Sequence, residues 1–259
     1  MLASVGDGVG IRHIVGRVLV QAALNGGTTR GEHPAVPLTP AELASEASAA
    51  SLAGAGAFHL HPRDGSGEQT LVAEHVLAAV AAVRGATGLP VGVTTGIWTV
   101  HGDVQRRLDL VAGWTGPNRP DYASINMNEP GIDDLADLLT SLGIGIEAGV
   151  WTADDARVLG LSGFRDRLLW VLMEPEELTG AAAVATAGEA AAELARLGIT
   201  VRQVRHGYDL ATWDVLRASI ADGQDIRVGL EDTRVLPDGS FATGNGDLVA
   251  AAARLVRDS

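Results

Sequence analysis

The stretch "GAFHLHPRDG" (56–65) carries two histidines two residues apart, at the end of an apolar run that reads as a β-strand. Side chains two apart on a strand share a face, so His59 and His61 point the same way. Neutral imidazoles are good zinc ligands, and this spacing lets both reach one ion. A lone histidine here would more simply be a satisfied core residue; the same-facing pair favours a metal. A catalytic zinc takes a third protein ligand and keeps an open position. Glu231, in "IRVGLEDTR" (226–234), is the best candidate, on the strand parity of Arg227, with Gly229 between them leaving room. His206 and Glu147 are the alternatives. Asp232 comes next, and adjacent carboxylates on a strand point apart, which frees it to act as a base. Arg227 could hold Asp232 or a substrate carboxylate in its two-pronged donor fork. An ordinary structural brace is the competing reading.

Something must bring residues 59 and 231 together. Short runs rich in Val, Ile and Leu alternate with longer Ala/Leu-rich, helix-compatible stretches along the whole chain. The candidate strands cover 18–24, 57–61, 90–95, 122–126, 143–148, 167–174, 200–206 and 226–232. Several helical stretches open with a cap residue and close near glycine. Thr39-Pro40-Ala41-Glu42 combines a capping hydroxyl, a proline at the first helical position and an acidic first turn. Eight strand–helix units predict an α/β protein, a single-domain (β/α)8 TIM barrel over 18–259. Residues 1–17 are expected to be an N-terminal extension, flexible in part. A doubly wound sheet usually brings a glycine-rich dinucleotide loop, and no GxGxxG stands in that context.

Barrel enzymes work at the carboxyl ends of their strands. Those positions here hold Asn25, His59 and His61, Thr94 and Thr95, Ser124 and Asn126, Glu147, Glu174, His206, and the Arg227–Asp232 group. A purely structural barrel has no reason to gather so many polar groups on one rim. Arg63, in the turn "HPRDG", and Arg30, in the glycine-rich loop "NGGTTRGEHP" (25–34), are candidates for binding an anionic substrate group. Trp98 and Trp151 follow strand ends and could wall a pocket; the other tryptophans are expected in the core. His13, His33, His75 and His101 are expected to face solvent.

Composition narrows the class. Net charge is −13, which argues against binding a phosphate backbone non-specifically. With no cysteine, disulfides, thiolate zinc sites and cysteine nucleophiles are excluded. Nothing near the start reads as a signal peptide, and no apolar run approaches a membrane span, so the expected location is the cytoplasm.

Taken together, "AALNGG…TTR", "PLTPAELASEA…AGAGAFHLHPRDGSG", "PVGVTTG", "ASIN", "GIEAG", "HG" and "IRVGLEDTRVLPDGS…GNGDLV" resemble the β-keto acid cleavage enzymes, in family order. The resemblance implies a zinc-bearing (β/α)8 barrel, with roles carried over position by position. His59, His61 and Glu231 match the zinc ligands, Asp232 the general base and Arg227 its partner. Thr94 stands where the family pattern has Ser and Ser124 where some members have Thr, and both are expected to bind substrate, as is Asn126 at the end of the same strand as Ser124. Glu147 matches an acid of the pocket. The implied reaction joins a β-keto acid to acetyl-CoA and yields acetoacetate and a new CoA thioester, in a homo-oligomer. Rival readings are a metal-dependent C–C lyase or aldolase, or a zinc hydrolase, each without CoA. One departure stands out. Some members carry a Glu just before "TTR" that recognises a substrate amino group; it is missing here, which counts against an amino-bearing substrate unless Glu32 or Glu174 takes its place.

Overall fold

The computed structural model describes residues 18–177 and 179–259; the expected extension over 1–17 lies outside the described residues. Eight parallel strands close into a barrel in sequence order: β1 (Val20–Ala23), β2 (Ala57–Leu60), β3 (Val91–Val93), β4 (Tyr122–Asn126), β5 (Gly145–Val150), β6 (Leu168–Met173), β7 (Gln203–Arg205) and β8 (Asp225–Val228). β1 pairs with both β2 and β8, which seals the ring. The helices α1 (Pro40–Ala53), α2 (Ala73–Thr87), α3 (Val104–Val111), α4 (Ile132–Ser141), α5 (Ala153–Leu161), α6 (Gly180–Arg196), α7 (Thr212–Ala221) and α8 (Asn245–Asp258) follow the strands one by one. This is the predicted single-domain (β/α)8 barrel. Among the described residues, no helix is long and apolar enough to cross a membrane.

The reason is visible in the pattern. The strand residues are almost all buried, because helices cover one face and the lumen fills the other. The outward-facing side chains join the helices in one continuous apolar layer. The lumen has its own smaller cluster, centred on Tyr122 and Trp170, whose rings meet edge-on 4.9 Å apart. Start signals in the sequence act as expected: Thr39 and Glu42 form a reciprocal capping box on α1, and Thr152 and Asp155 form another on α5.

The registers set the site. β1 aligns Ala23 with His59, and β4 aligns Ser124 with Glu147 and Asn126 with Gly149. β5 in turn sets Glu147 beside Trp170. Inward-facing positions therefore stack in layers, with Gln21, Tyr122, Glu147 and Trp170 below and the imidazoles above.

Candidate metal and catalytic centre

His59 lies within β2 and His61 just beyond it, and their rings sit 5.2 Å apart, on one face as predicted. β8 ends at Val228, earlier than expected. The chain then turns, with the Asp232 and Thr233 amides both donating to the Gly229 carbonyl. Strand parity is thus not what aims Glu231. The turn carries it to His61, whose Nε2 is 3.3 Å from Glu231 Oε1. Donor atoms of His59, His61 and Glu231 all lie within 4.8 Å of one another. Bonds of about 2.0–2.2 Å to a tetrahedral ion would set ligand atoms roughly 3.4 Å apart, close to the His61–Glu231 distance. Glu231 Oε2 is buried without a hydrogen-bond partner among the described residues. A buried carboxylate oxygen left unpaired is costly, and a cation at this point would satisfy it.

Each imidazole is oriented from behind. His61 Nδ1 donates to Gln69 Oε1 at 2.6 Å, which leaves Nε2 to face Glu231. The same Gln69 oxygen accepts from the Trp98 indole at 3.1 Å, and the Trp98 ring stacks on His61. The backbone of His61 is held by Asn25, whose amide both donates to its carbonyl and accepts from its N–H, each at 2.9 Å. His59 turns Nδ1 toward Glu147 Oε1 at 3.3 Å. Glu147 is fully buried one layer below, where it accepts from Gln21 at 2.7 Å and from the Trp170 indole. Such an acid behind a ligating imidazole is a recurrent way of fixing the ring. Burial would raise the Glu147 carboxyl, but His59 and Gln21 hold it below its ordinary value.

Arg227 fixes the acids. Its Nη2 donates to Asp232 Oδ1 at 2.8 Å and to Glu231 Oε1 at 2.5 Å, and its Nε is 3.2 Å from Asp232 Oδ1. The two adjacent carboxylates diverge: Glu231 faces the imidazoles, while Asp232 faces His206, whose Nδ1 is 3.3 Å from Asp232 Oδ1. Burial would push the Glu231 carboxyl up, yet Arg227 and the two histidines hold it well below its ordinary value. Asp232 moves the other way, raised by burial and by the neighbouring Glu231 charge against the pull of Arg227. The same surroundings thus drive the two neighbouring carboxyls in opposite directions.

The other candidates divide. His206 is not part of the ligand group; it bridges Asp232 and Glu174, with Nε2 3.0 Å from Glu174 Oε2. Thr94, Ser124 and Asn126 are buried on the rim of β3 and β4, and Thr94 Oγ1 accepts from the Gly96 amide. Arg63 instead donates to the carbonyls of Gly26 and Thr28, tying two loops together. Arg30 pairs with Glu42 at the start of α1, at half exposure. His33, expected at the surface, is buried and its Nε2 meets the Ala242 carbonyl at 2.9 Å, because the loop after β1 tucks under the loop after β8. His101 is exposed, as expected, and His75 is half-buried; His13 lies outside the described residues. Gln69 was not foreseen, since a glutamine eight residues past His61 in a turn-rich segment carries no pattern of its own. Between the loops a cavity of about 240 Å³ opens onto Glu231 and Asp232, walled by Gly27, Thr28, Tyr208 and Arg234.

This constellation has relatives. The family model described as "beta-keto acid cleavage enzyme" matches residues 17–159 and 205–259. The chain belongs to the β-keto acid cleavage enzyme family. A 3-keto-5-aminohexanoate cleavage enzyme from Fusobacterium nucleatum is 27% identical over 258 residues, covering 93% of this chain and 92% of that protein. Among solved structures, ObcA in apo form superposes with a TM-score of 0.66 at 22% identity. ObcA in ternary complex with a C4-CoA adduct and oxalate gives 0.68 at 20%. Each comparison covers 87% of this chain, which spans only 61% and 64% of the respective ObcA chains. A type I 3-dehydroquinate dehydratase from Clostridium difficile shares the barrel at 0.62 and 8% identity, covering 94% of each chain. These structural likenesses support the barrel architecture. The family match also covers both segments that build the centre, β2 with its loop and β8 with its turn.

Proposed function

We propose that this member of the family is a zinc-dependent acyltransferase that reacts a β-keto acid with acetyl-CoA, giving acetoacetate and a new acyl-CoA. The observation that carries the reading is the joining of His59, His61 and Glu231 into one ligand group, with Asp232 held beside it by Arg227. Zinc bound there would supply Lewis acidity that favours the enolate of a keto acid.

The chain's own residues account for the proton and for orientation. Asp232 takes the proton from the carbon between the keto and carboxylate groups; its raised carboxyl suits a base. Arg227 keeps that carboxylate aimed and tethers Glu231 at the same time. The carbanion attacks the acetyl thioester carbonyl and CoA leaves as thiolate. Return of the thiolate to the original keto carbon breaks its bond to the former carbanion carbon, which is protonated to give acetoacetate. Thr94 and Ser124 offer hydroxyls to the oxyanions on the rim, and Asn126 lies beside the substrate chain. Glu147 acts as a positioning residue through His59, and Arg63 and Arg30 order the loops.

The test is a panel of β-keto acids incubated with zinc-loaded protein, with and without acetyl-CoA, assayed for acetoacetate. Acetoacetate should form only with acetyl-CoA, and Asp232→Asn should lower turnover about 100-fold or more while zinc stays bound. Product formed without CoA, or zinc lost in that variant, would overturn the assignment.

A further inference from the structure

Asn245 opens α8 and is fully buried, with both polar atoms of its side chain engaged. Its Nδ2 donates to the Leu24 carbonyl at 3.0 Å and to Glu46 Oε2 at 3.0 Å. Two acceptors on that side settle the orientation of the amide, so Oδ1 faces the Leu230 N–H and accepts from it at 2.9 Å. Glu46, on α1, holds the residue a second time by accepting from its backbone amide at 2.8 Å. A carboxylate at a helix start is favoured by the unpaired amides there. Neither Asn245 nor Glu46 belongs to the His59, His61 and Glu231 group.

What Asn245 holds is the residue before Glu231. The Leu230 carbonyl accepts from the Thr28 hydroxyl at 2.8 Å, so Leu230 is pinned through its N–H by α8 and through its C=O by the loop after β1. The same end of β1 holds the histidine strand. The Leu24 amide donates to the His59 carbonyl at 3.0 Å, and the Asn25 side chain grips both backbone groups of His61. A continuous run of buried hydrogen bonds therefore leads from His61 through Asn25 and Leu24 to Asn245 and Leu230. It sets the two segments that carry the candidate ligands in one frame, through backbone groups and short amides with little freedom to shift.

We propose that Asn245 is a positioning residue of the centre. Oriented by Glu46, it locks the turn after β8 to the end of β1, so that the backbone itself aims Glu231 at the imidazoles. The inference rests on the metal part of the proposed function and is independent of the acyl transfer. Aspartate at this position isolates the hydrogen bonds, because it has the shape of asparagine but neither donor. It keeps the Leu230 contact and sets an oxygen against the Leu24 carbonyl and the Glu46 carboxylate.

The test is the zinc affinity of the full chain, titrated against a chromophoric chelator, together with the visible spectrum of the cobalt(II) form. Asn245→Asp should bind zinc at least about tenfold more weakly, as loss of a supporting partner does. Its cobalt bands should change as Glu231 leaves the ion, since they report coordination geometry. Adding Glu46→Gln should recover most of the loss, because the glutamine amide can donate to the new carboxylate, whereas Glu46→Gln alone should change affinity about twofold or less. Leu194→Ala, a core truncation on α6, is the control: it should lower the urea midpoint and leave zinc affinity and the cobalt spectrum as in the wild type. Should Asn245→Asp not fold, Glu46→Ala takes its place, since Glu46 is only half-buried, with about threefold weaker zinc binding expected. Unchanged affinity and spectrum in the folded variant, or an equal loss of affinity in Leu194→Ala, would overturn the positioning role and leave the metal site standing. A wild type that binds no zinc would remove both. The expected variant pattern in a protein that makes no acetoacetate from keto acids and acetyl-CoA would uphold the positioning role and remove the proposed reaction.

Discussion

At the scale of single residues, the two imidazoles are held by unlike partners, and the difference predicts unlike consequences. His59 leans on a buried carboxylate, Glu147, while His61 donates to a neutral amide, Gln69. Gln69 also anchors the half-exposed Trp98, so one side chain sets both the His61 tautomer and the ring stacked over it. Gln69→Ala frees His61 to rotate and should weaken zinc binding about 10–100-fold, the usual effect of losing a supporting partner. Competition with a chelator measures it. Because Trp98 stacks on His61, a proposed zinc ligand, its fluorescence should change on zinc addition in the wild type and much less in the variant. Unchanged zinc affinity in Gln69→Ala would show that Asn25 alone suffices to hold His61.

At the scale of elements, the sequence made some features legible and hid others. The strand and helix alternation located all eight units, because a strand buried on both faces is a short apolar run and a capped helix announces its start. Parity misled at β8: reading strand to residue 232 presumed that alternation aims Glu231, whereas the ladder stops at Val228 and a turn does the aiming. The partners of His33, Arg63 and Gln69 lie across loops distant in sequence, and no local pattern encodes such contacts. Capping is the local case, and it allows a sharper prediction. Glu42 accepts from the Leu38 and Thr39 amides and pairs with Arg30, which brings its carboxyl down to about 2 from 4.5. A carboxyl lowered on folding contributes stability above its unfolded value and loses it as pH falls from about 4.5 toward about 2. Glu42→Gln should therefore lower Tm at neutral pH and flatten its dependence on pH in that window. Thr39→Ala removes the other half of the box and should cost about 1 kcal/mol, read from urea unfolding.

At the scale of the whole molecule, the seam between β1 and β8 is where closing the barrel and assembling the centre become the same event. The Ala23 carbonyl, at the end of β1, accepts from the Glu231 amide at 3.3 Å. That carbonyl occupies the space beside Gly229: a Cβ there would come within 1.9 Å of it. The room left by Gly229 is thus filled by the backbone of β1, not kept open for a ligand. Backbone in a closed sheet has little freedom to give way, so Gly229→Ala must push the seam apart. The expected cost is at least about 1–3 kcal/mol, seen as a lower urea midpoint, together with weaker zinc binding because Glu231 loses its anchor. Gly85→Ala is the control: this helical position has nothing within 4 Å of a new Cβ. It should be neutral or stabilising by up to about 1 kcal/mol, with zinc affinity unchanged. If Gly229→Ala lowered stability but left zinc affinity intact, the turn after β8 would be holding Glu231 independently of the seam, and fold and centre would be separable.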